Sequence, residues 1–496
     1  MICVSIGRTR HKMMVAEHRA LAERGAELVE LRIDWLSRQP DLARLLKDRP
    51  APCIVTCRRP QDGGRWKGSE EQRLALLRTA LVSGVEYIDL EEDIAASIPR
   101  YGDTKRIVSH HDFEQTPRDI EDIHYRLCQL DPDIVKIVTM AHSPEDNVRM
   151  LKLVANAKVP TVGFCMGELG LISRVLCGKY GSPFTFATFS RDRELAPGQL
   201  SFDEMKHLYR FDEIDADTAV YGVIGDPIAH SLSPLLHNTA FHKEGIKAVY
   251  LPFRIPKFDL QKSLTHYEWL GVQGYSVTIP HKEEILGHAQ HVDESAQEIG
   301  AANTLYRNSE SDWQATNTDY PAALATIRLG LQSSQFSSDE LAGYKVLILG
   351  AGGVARAIAL GLVKAGALVI ISNRTAERAT ELAAELGCQQ ISWEHRGTGF
   401  ADILVNCTSV GMHPNVDETP FPESQFRENM LVFDTVYNPE NTLLLKQARG
   451  RGCVTVSGIE MFIRQAALQF EQFTGRPAPL ETMRETLRQS ISAVHH

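Results

Sequence analysis

The sequence predicts an α/β protein in two parts, a (β/α)8 barrel followed by a two-lobed α/β unit, and three observations carry that expectation. Short β-branched runs alternate with amphipathic helical stretches from Met1 to about residue 210, as in parallel βα units whose strands are buried on both faces. The stretch RFDEIDADTA over 210–219 then interrupts the pattern with acidic residues and no apolar periodicity. From Val220 the alternation resumes, and deep inside it one strand runs straight into a glycine-rich turn and an Ala-rich helix, KVLILGAGGVARAIALGLVKAG.

In the first part the predicted strands are ICVSI from residue 2, LVELR from 28, CIVTC from 53, YIDLE from 87, RIVSH from 106, IVKIV from 134, PTVGFC from 160 and FTFATF from 184. Eight strands with intervening helices make a compact barrel over 1–210, somewhat below the usual size of about 250 residues. Residues 211–219 read as a linker, 220–335 as a substrate-binding lobe, 336–459 as a dinucleotide-binding domain of Rossmann type, and 460–496 as helices packing back on the substrate lobe.

A chain of 496 residues is too long for one ordinary core, and 43% hydrophobic with 23% charged residues is the composition of an average globular protein. The net charge of -10 is spread without a Lys/Arg block, which disfavours nucleic acid or an anionic membrane surface as a partner. No apolar run approaches the roughly 18 residues of a membrane span, and the expected location is the cytoplasm, as a monomer or small homo-oligomer. Nine cysteines scattered through apolar segments read as reduced core residues, and no metal is expected.

Reactive groups in such a barrel sit at the C-terminal strand ends. Lys136 is the most informative, because alternation puts Ile134, Lys136 and Val138 on one face and Val135 and Ile137 on the other. A strand apolar on both faces is buried, and a buried ammonium is costly unless it loses its proton, the property an amine nucleophile requires. A solvated rim lysine is the commoner fate of a lone strand Lys, but Glu30, Arg32, Arg58, His111 and Arg174 all fall at successive strand ends. That set suits carbonyl condensation, proton transfer and anion binding.

The segments ELRID, TCR, SHHDF, DIVKI, MGELGLISR and APGQ, spread over residues 1–202, resemble the signatures of type I 3-dehydroquinate dehydratases. The resemblance implies that Lys136 forms an imine with the substrate ketone. It also implies that His111 removes the adjacent C2 proton and later protonates the departing hydroxyl. Arg174 would clamp the carboxylate, while Glu30, Arg32, Arg58 and Gln199 hold hydroxyls or orient neighbours. Two positions depart from the family pattern: Asp62 replaces a Glu before Gly-Gly, and Leu195 replaces a Ser before APGQ.

In the second part, Gly350, Ala351, Gly352, Gly353, Val354 and Ala355 form a turn able to receive a pyrophosphate on its amides and the helix N-terminus. The next strand, ALVIIS, ends in Asn373, Arg374 and Thr375, where an NAD enzyme would carry Asp or Glu; an arginine there favours the 2′-phosphate of NADP(H). The strings GDPIAHSLSPLLHN, YSVTIPHKE, GAANTL, TNTDY, NCTSVGM, DTVYNPENTLLL and GIEMFIRQA resemble shikimate dehydrogenases in the right order over 220–475. By that resemblance Ser231 and Ser233 bind the carboxylate, Thr278, Asn303, Asp319 and Gln465 the ring hydroxyls, and Lys282 with Asp319 handles the proton. Thr408, Gly458 and Met461 fall on the cofactor side and Tyr437 closes the nicotinamide end; Tyr437 and Met461 also fit a plain core role. Ser276 and Glu460, where many bacterial relatives have Asn and Gly, resemble the plant fused enzymes.

The expected substrates are 3-dehydroquinate and 3-dehydroshikimate, the product of the first reaction being the substrate of the second. A catabolic quinate/shikimate dehydrogenase and a non-catalytic ligand-sensing regulator are the alternatives. Retention of Lys136, His111, Lys282, Asp319 and the glycine turn weighs against the regulator.

Overall fold

The computed structural model describes residues 1–229, 231–332, 340–398 and 400–493. The expected boundary between 335 and 336 and the last three residues of the C-terminal helices lie outside the described residues.

All eight predicted runs are strands: β1 (Ile2–Ile6), β2 (Leu28–Arg32), β3 (Cys53–Thr56), β4 (Tyr87–Glu91), β5 (Lys105–Asp112), β6 (Ile134–Met140), β7 (Thr161–Met166) and β8 (Thr185–Thr188). They form one parallel sheet in the order β7-β6-β5-β4-β3-β2-β1-β8, a nearly closed barrel whose two ends are β7 and β8. Local signals start the intervening helices: Ser69 and Gln72 make a capping box for Glu70–Val82, and Pro144 opens Pro144–Asn156 behind Ser143. Inward-facing Leu28, Ile54, Ile107, Ile134, Val162, Phe184 and Phe186 share one buried cluster. Polar residues take over the inner face toward the C-terminal strand ends.

The segment expected as a linker is docked. Phe211 and Ile214, three apart, are buried, Lys179 Nζ donates to the carbonyls of Ala216 at 2.6 Å and Thr218 at 2.8 Å, and Asp212 pairs with the N-terminal amine at 3.1 Å and Lys206 at 2.8 Å. Two apolar anchors and cationic partners for its acids give this stretch a place that its composition hides.

Beyond it come β9 (Ala219–Gly225), β10 (Ala248–Arg254), β11 (Val272–Val277), β12 (His291–Val292), β13 (Thr304–Arg307) and β14 (Trp313–Thr316). Strands β11, β13, β14 and β12 lie side by side in that order, with β13 antiparallel to both its neighbours. The last sheet is parallel throughout and ordered β17-β16-β15-β18-β19-β20, from β15 (Lys345–Leu349), β16 (Leu368–Ser372), β17 (Gln389–Gln390), β18 (Ile403–Asn406), β19 (Leu431–Asp434) and β20 (Val454–Val456). Val346 and Ile348 face one helical layer and Leu347 and Leu349 the other, the two-faced burial of a doubly wound sheet. Strand order reverses between β15 and β18, the switch point where such sheets bind ligands.

Two compact units result: Met1–Tyr221 with Lys247–Val272, and Gly222–Ile246 with Gln273–His496. Residues 247–272 join the barrel's unit through the Trp269 ring, stacked on Tyr180 at 4.6 Å, and the Arg254–Glu168 ion pair. In the second unit, the helix Gly458–Thr474 packs onto β13, with Gln469 Nε2 donating to the Asn303 carbonyl at 2.9 Å. Among the described residues no helix is long and apolar enough to cross a membrane.

Candidate active sites

Glu30, Arg32, Arg58, His111, Lys136, Arg174 and Gln199 line one cavity of about 50 Å³ inside the first unit. Strand register explains the meeting. Ser109 lies opposite Lys136 and His111 opposite Val138 in the β5–β6 pair, so alternation sends Ser109, His111 and Lys136 to the same inner face.

Lys136 is 4% exposed, with its Nζ 3.0 Å from Asp89 Oδ2, 3.6 Å from Glu30 Oε1 and 3.9 Å from the Phe186 ring centroid. Glu30 is fixed by hydroxyl donors, Ser5 at 2.6 Å and Thr56 at 2.9 Å. Burial pushes the Asp89 carboxyl up, but the Arg58 and Lys136 cations outweigh it and hold Asp89 far below the usual carboxylate range. Glu30, likewise buried, is held down by Lys136 and Arg32.

Arg58 Nη1 donates to His111 Nδ1 at 3.0 Å, while its Nη2 pairs with Asp89 at 2.9 Å. Burial above all, then the Arg58 and Lys136 cations, keeps His111 well below the ordinary imidazole value, hence neutral at physiological pH. Arg32 is engaged bidentately by Asp34 at 2.9 and 3.0 Å.

Arg174 differs from these. Its Nη1 reaches the Phe186 carbonyl at 3.3 Å and its guanidinium lies 4.4 Å from the Phe164 ring centroid, yet Nε and Nη2 are buried without a hydrogen-bond partner. Burial lowers its pKa to about 10. Unpaired donors on a guanidinium that lines the cavity are a demand for an anion, and the fork geometry suits a carboxylate.

Sequence reasoning missed Asp89 and Ser109, whose hydroxyl donates to Asp89 Oδ1 at 2.6 Å. The signal was in YIDLE, where Asp89 and Glu91 alternate with the buried Ile88 and Leu90 and so face the interior.

In the second unit Ser231, Ser233, Thr278, Lys282, Asn303, Asp319, Tyr437 and Gln465 line a cavity of about 370 Å³, together with Val354, Gly458 and Met461 from the cofactor set. Lys282 Nζ lies 2.6 Å from Asp319 Oδ2, and Asn303 Nδ2 donates to Asp319 Oδ1 at 2.9 Å. One carboxylate is thereby fixed from both sides. The Tyr437 ring stacks on Phe462 at 4.5 Å and lines the cavity wall. Gln469 was overlooked: it accepts from Ser276 Oγ at 2.7 Å and donates to Asn303 O and Thr304 Oγ1, tying the helix to β11 and β13. Its spacing of four from Gln465 places two amides on one face of an apolar helix, which was the available signal.

The other cofactor-set residues cluster at the C-terminal edge of the parallel sheet. Gly350 has φ +117° and a Cβ there would lie 3.0 Å from the Cys407 carbonyl, so the turn needs glycine. Gly352 and Gly353, at the start of the helix Gly353–Lys364, have open space where a Cβ would stand, leaving amides accessible to phosphate. Ala351 lies in the same turn. The Ala355 side chain is fully buried in the core, where it packs the helix against the sheet. Asn373 Nδ2 donates to the Thr375 carbonyl at 2.9 Å just past β16, holding the turn from which Arg374 projects exposed. Thr408, past β18, is held by Asn406 Oδ1 at 2.7 Å. Arg378, four residues beyond Arg374 and also exposed, adds a second cation that sequence reasoning did not single out. This donor set fits a dinucleotide with a phosphate at its adenosine end.

A buried lysine beside a neutral histidine and an anion-seeking arginine defines a carbonyl-condensing lyase site. A lysine–carboxylate pair in a cavity beside a dinucleotide turn defines a reductase site. The chain carries one of each.

The type I 3-dehydroquinase family matches residues 2–216. The shikimate dehydrogenase substrate binding domain matches 223–305, shikimate / quinate 5-dehydrogenase 331–437, and the shikimate 5′-dehydrogenase C-terminal domain 458–488. The chloroplastic bifunctional 3-dehydroquinate dehydratase/shikimate dehydrogenase of Arabidopsis thaliana is 41% identical over 504 residues, covering 97% of this chain and 83% of its own. The shikimate dehydrogenase (NADP(+)) of Methanosarcina mazei is 39% identical over 285 residues, 55% of this chain and 99% of its own. A crystal structure of a shikimate dehydrogenase in complex with NADP+ matches with a TM-score of 0.52 at 36% identity, covering 56% of this chain and 96% of its own. The chain belongs to the bifunctional 3-dehydroquinate dehydratase/shikimate dehydrogenase family. It is a lyase and an NADP-dependent oxidoreductase of the shikimate pathway, taking 3-dehydroquinate to 3-dehydroshikimate and on to shikimate with NADP(H) as cofactor.

Proposed function

We propose that dehydration runs through an imine on Lys136, and the buried, carboxylate-flanked Nζ, in one cavity with an Arg174 that keeps two donors without a partner, carries that reading. Lys136 gives up a proton and attacks the substrate ketone as the amine, and that proton returns with the departing oxygen, so that one water leaves as the protonated C=N forms. The iminium then draws electrons from the adjacent C2–H bond, whose proton His111 takes. Arg58 occupies Nδ1 in the resting site, so this step follows its turning toward substrate. The resulting enamine expels the neighbouring hydroxyl, which leaves as water with the proton from His111. Hydrolysis of the imine consumes one water and restores the amine, so the net change is loss of one water. Arg174 holds the carboxylate, and Glu30, Arg32, Arg58 and Gln199 hold hydroxyls or neighbours.

Borohydride added during turnover should fix substrate-derived mass on the peptide containing Lys136 and on no other. An unlabelled Lys136 would remove the reading.

In the second site NADPH, once bound, supplies the hydride that reduces the ketone. Lys282 gives a proton to the oxygen that becomes the hydroxyl, and Asp319, fixed by Asn303, grips that hydroxyl. Ser231 and Ser233 take the carboxylate, Thr278 and Gln465 the remaining hydroxyls, and Tyr437 closes the wall. Gly350 to Val354 with Thr408 would hold the pyrophosphate side, Asn373, Arg374 and Thr375 the 2′-phosphate, and Gly458 and Met461 the nicotinamide side. We assign the dehydratase to 1–210 and the reductase to 220–496, its cofactor domain spanning 336–459. A cytoplasmic chain, monomeric or a small homo-oligomer and without affinity for nucleic acid, completes the proposal; a net charge of -10 without a basic block supports the last point.

A further inference from the structure

Leu195 follows β8, lines the substrate cavity, and packs beside residues that follow β1 and β2. A methyl group placed on Gly7, just after β1, would lie 2.7 Å from Leu195 Cδ2 and 2.9 Å from the Trp35 ring, so all three meet at one point. Trp35 follows β2, its indole N–H is buried without a partner, and Arg65 covers its ring at 3.5 Å. Leu195 lines the substrate cavity. Its backbone N–H donates to Gln199 Oε1 at 2.9 Å, and the loop is anchored farther along where the Gly167 N–H donates to the Pro197 carbonyl at 3.1 Å.

A serine in this position offers a hydrogen bond; a leucine offers area. Leucine next to an aromatic face gains by excluding water, and it does so only if nothing else fills the space, which the missing Cβ of Gly7 guarantees.

We propose that Leu195 is an apolar latch: seated on Trp35 over Gly7, it holds the β8 loop against the barrel mouth and positions Gln199 over the substrate. The inference rests on the dehydratase reading of this cavity. It makes Leu195 a positioning residue, and it makes Gly7 and Trp35 its seat. Packing here adds to the hydrogen bond between the Leu195 N–H and Gln199, so loss of the latch weakens substrate binding without touching the reacting groups.

The test uses the full-length chain, with the reductase activity of each variant as an internal measure of folding. Leu195→Ala and Leu195→Ser should raise KM for 3-dehydroquinate about fivefold, kcat changing less than about twofold, and Leu195→Met should restore KM. Gly7→Ala should raise KM similarly, because the new methyl displaces Leu195. In the double variant Gly7→Ala/Leu195→Ala, the methyl enters the vacated space and the combined effect should fall below the product of the single effects. Unchanged KM in Leu195→Ala, a loss confined to kcat, or effects that multiply in the double variant would each overturn the latch. Failure of the wild-type chain to dehydrate 3-dehydroquinate would instead overturn the reading beneath it.

Discussion

The two sites handle charge in opposite ways. The barrel cavity is about 50 Å³ and walled by buried ions already committed to one another, Lys136 to Asp89 and Glu30, Arg58 to Asp89, Arg32 to Asp34. The reductase cavity is about 370 Å³, and its reactive pair, Lys282 and Asp319, keeps 19% and 10% side-chain exposure. Covalent chemistry on an amine needs one small desolvated chamber, where each charge acts at full strength. Hydride transfer needs room for two ligands at once, and leaves most of the orienting field to what binds.

Sites this different should fail separately. Lys136→Ala should lower dehydration by at least about 1,000-fold and leave reduction within about twofold, and Lys282→Ala should do the reverse by about 100-fold or more. Separate assays with 3-dehydroquinate and with 3-dehydroshikimate plus NADPH decide it, and joint loss in a folded variant contradicts two sites. Next in size is Arg174→Ala. Two charged donors lost from a buried side chain correspond to about 2–3 kcal/mol, a fall of about 30- to 150-fold in dehydratase kcat/KM. A smaller fall would mean that the anion rests elsewhere.

Arg374→Ala should act on the reductase alone. An exposed arginine reading a 2′-phosphate should raise KM for NADPH about tenfold and leave KM for NADH unchanged. Equal rises for both cofactors would place the selectivity elsewhere, Arg378 being the nearest alternative.

The smallest effect concerns pH. His111 is held below its ordinary value by burial and then by Arg58, so lowering pH from 7 to 6 should not protonate it, and the dehydratase should lack an acid limb near 6.5. Arg58→Gln removes the nearest cation, which favours the protonated ring, so the acid limb should move upward in pH. A limb that stays put would show that burial alone sets the histidine.

Much of this was legible because burial leaves a periodic trace. Each barrel strand announced itself as a β-branched run, and Lys136 stood out as a lone cation in a strand apolar on both faces. The turn at Gly350 was legible because its backbone demands glycine. Asp89 was not, since an acid in YIDLE reads the same whether it faces water or an ammonium; the partner comes from β6, nearly fifty residues on. Gln469 hid for a similar reason, its partners being Ser276 of distant β11, Thr304 of β13 and Asn303 just before it. The acidic stretch after the barrel looked free because two buried apolar residues, Phe211 and Ile214, are too few to make a period. The grouping of 247–272 with the barrel depends on aromatic and ionic matches such as Trp269 on Tyr180, which no local pattern encodes.

Arg174 sits where the barrel ladder stops. Strands β7 and β8 are its two ends, and Arg174 spans them, its guanidinium over Phe164 of β7 and its Nη1 on the carbonyl of Phe186 in β8, while its own carbonyl accepts from Thr185 at 2.8 Å. Backbone groups along a seam without ladder bonds trade their hydrogens for deuterium sooner than those in the rest of the ring. A carboxylate bound to the two idle donors would stiffen that rivet from within and slow exchange on both strands, so that the substrate itself completes the hoop.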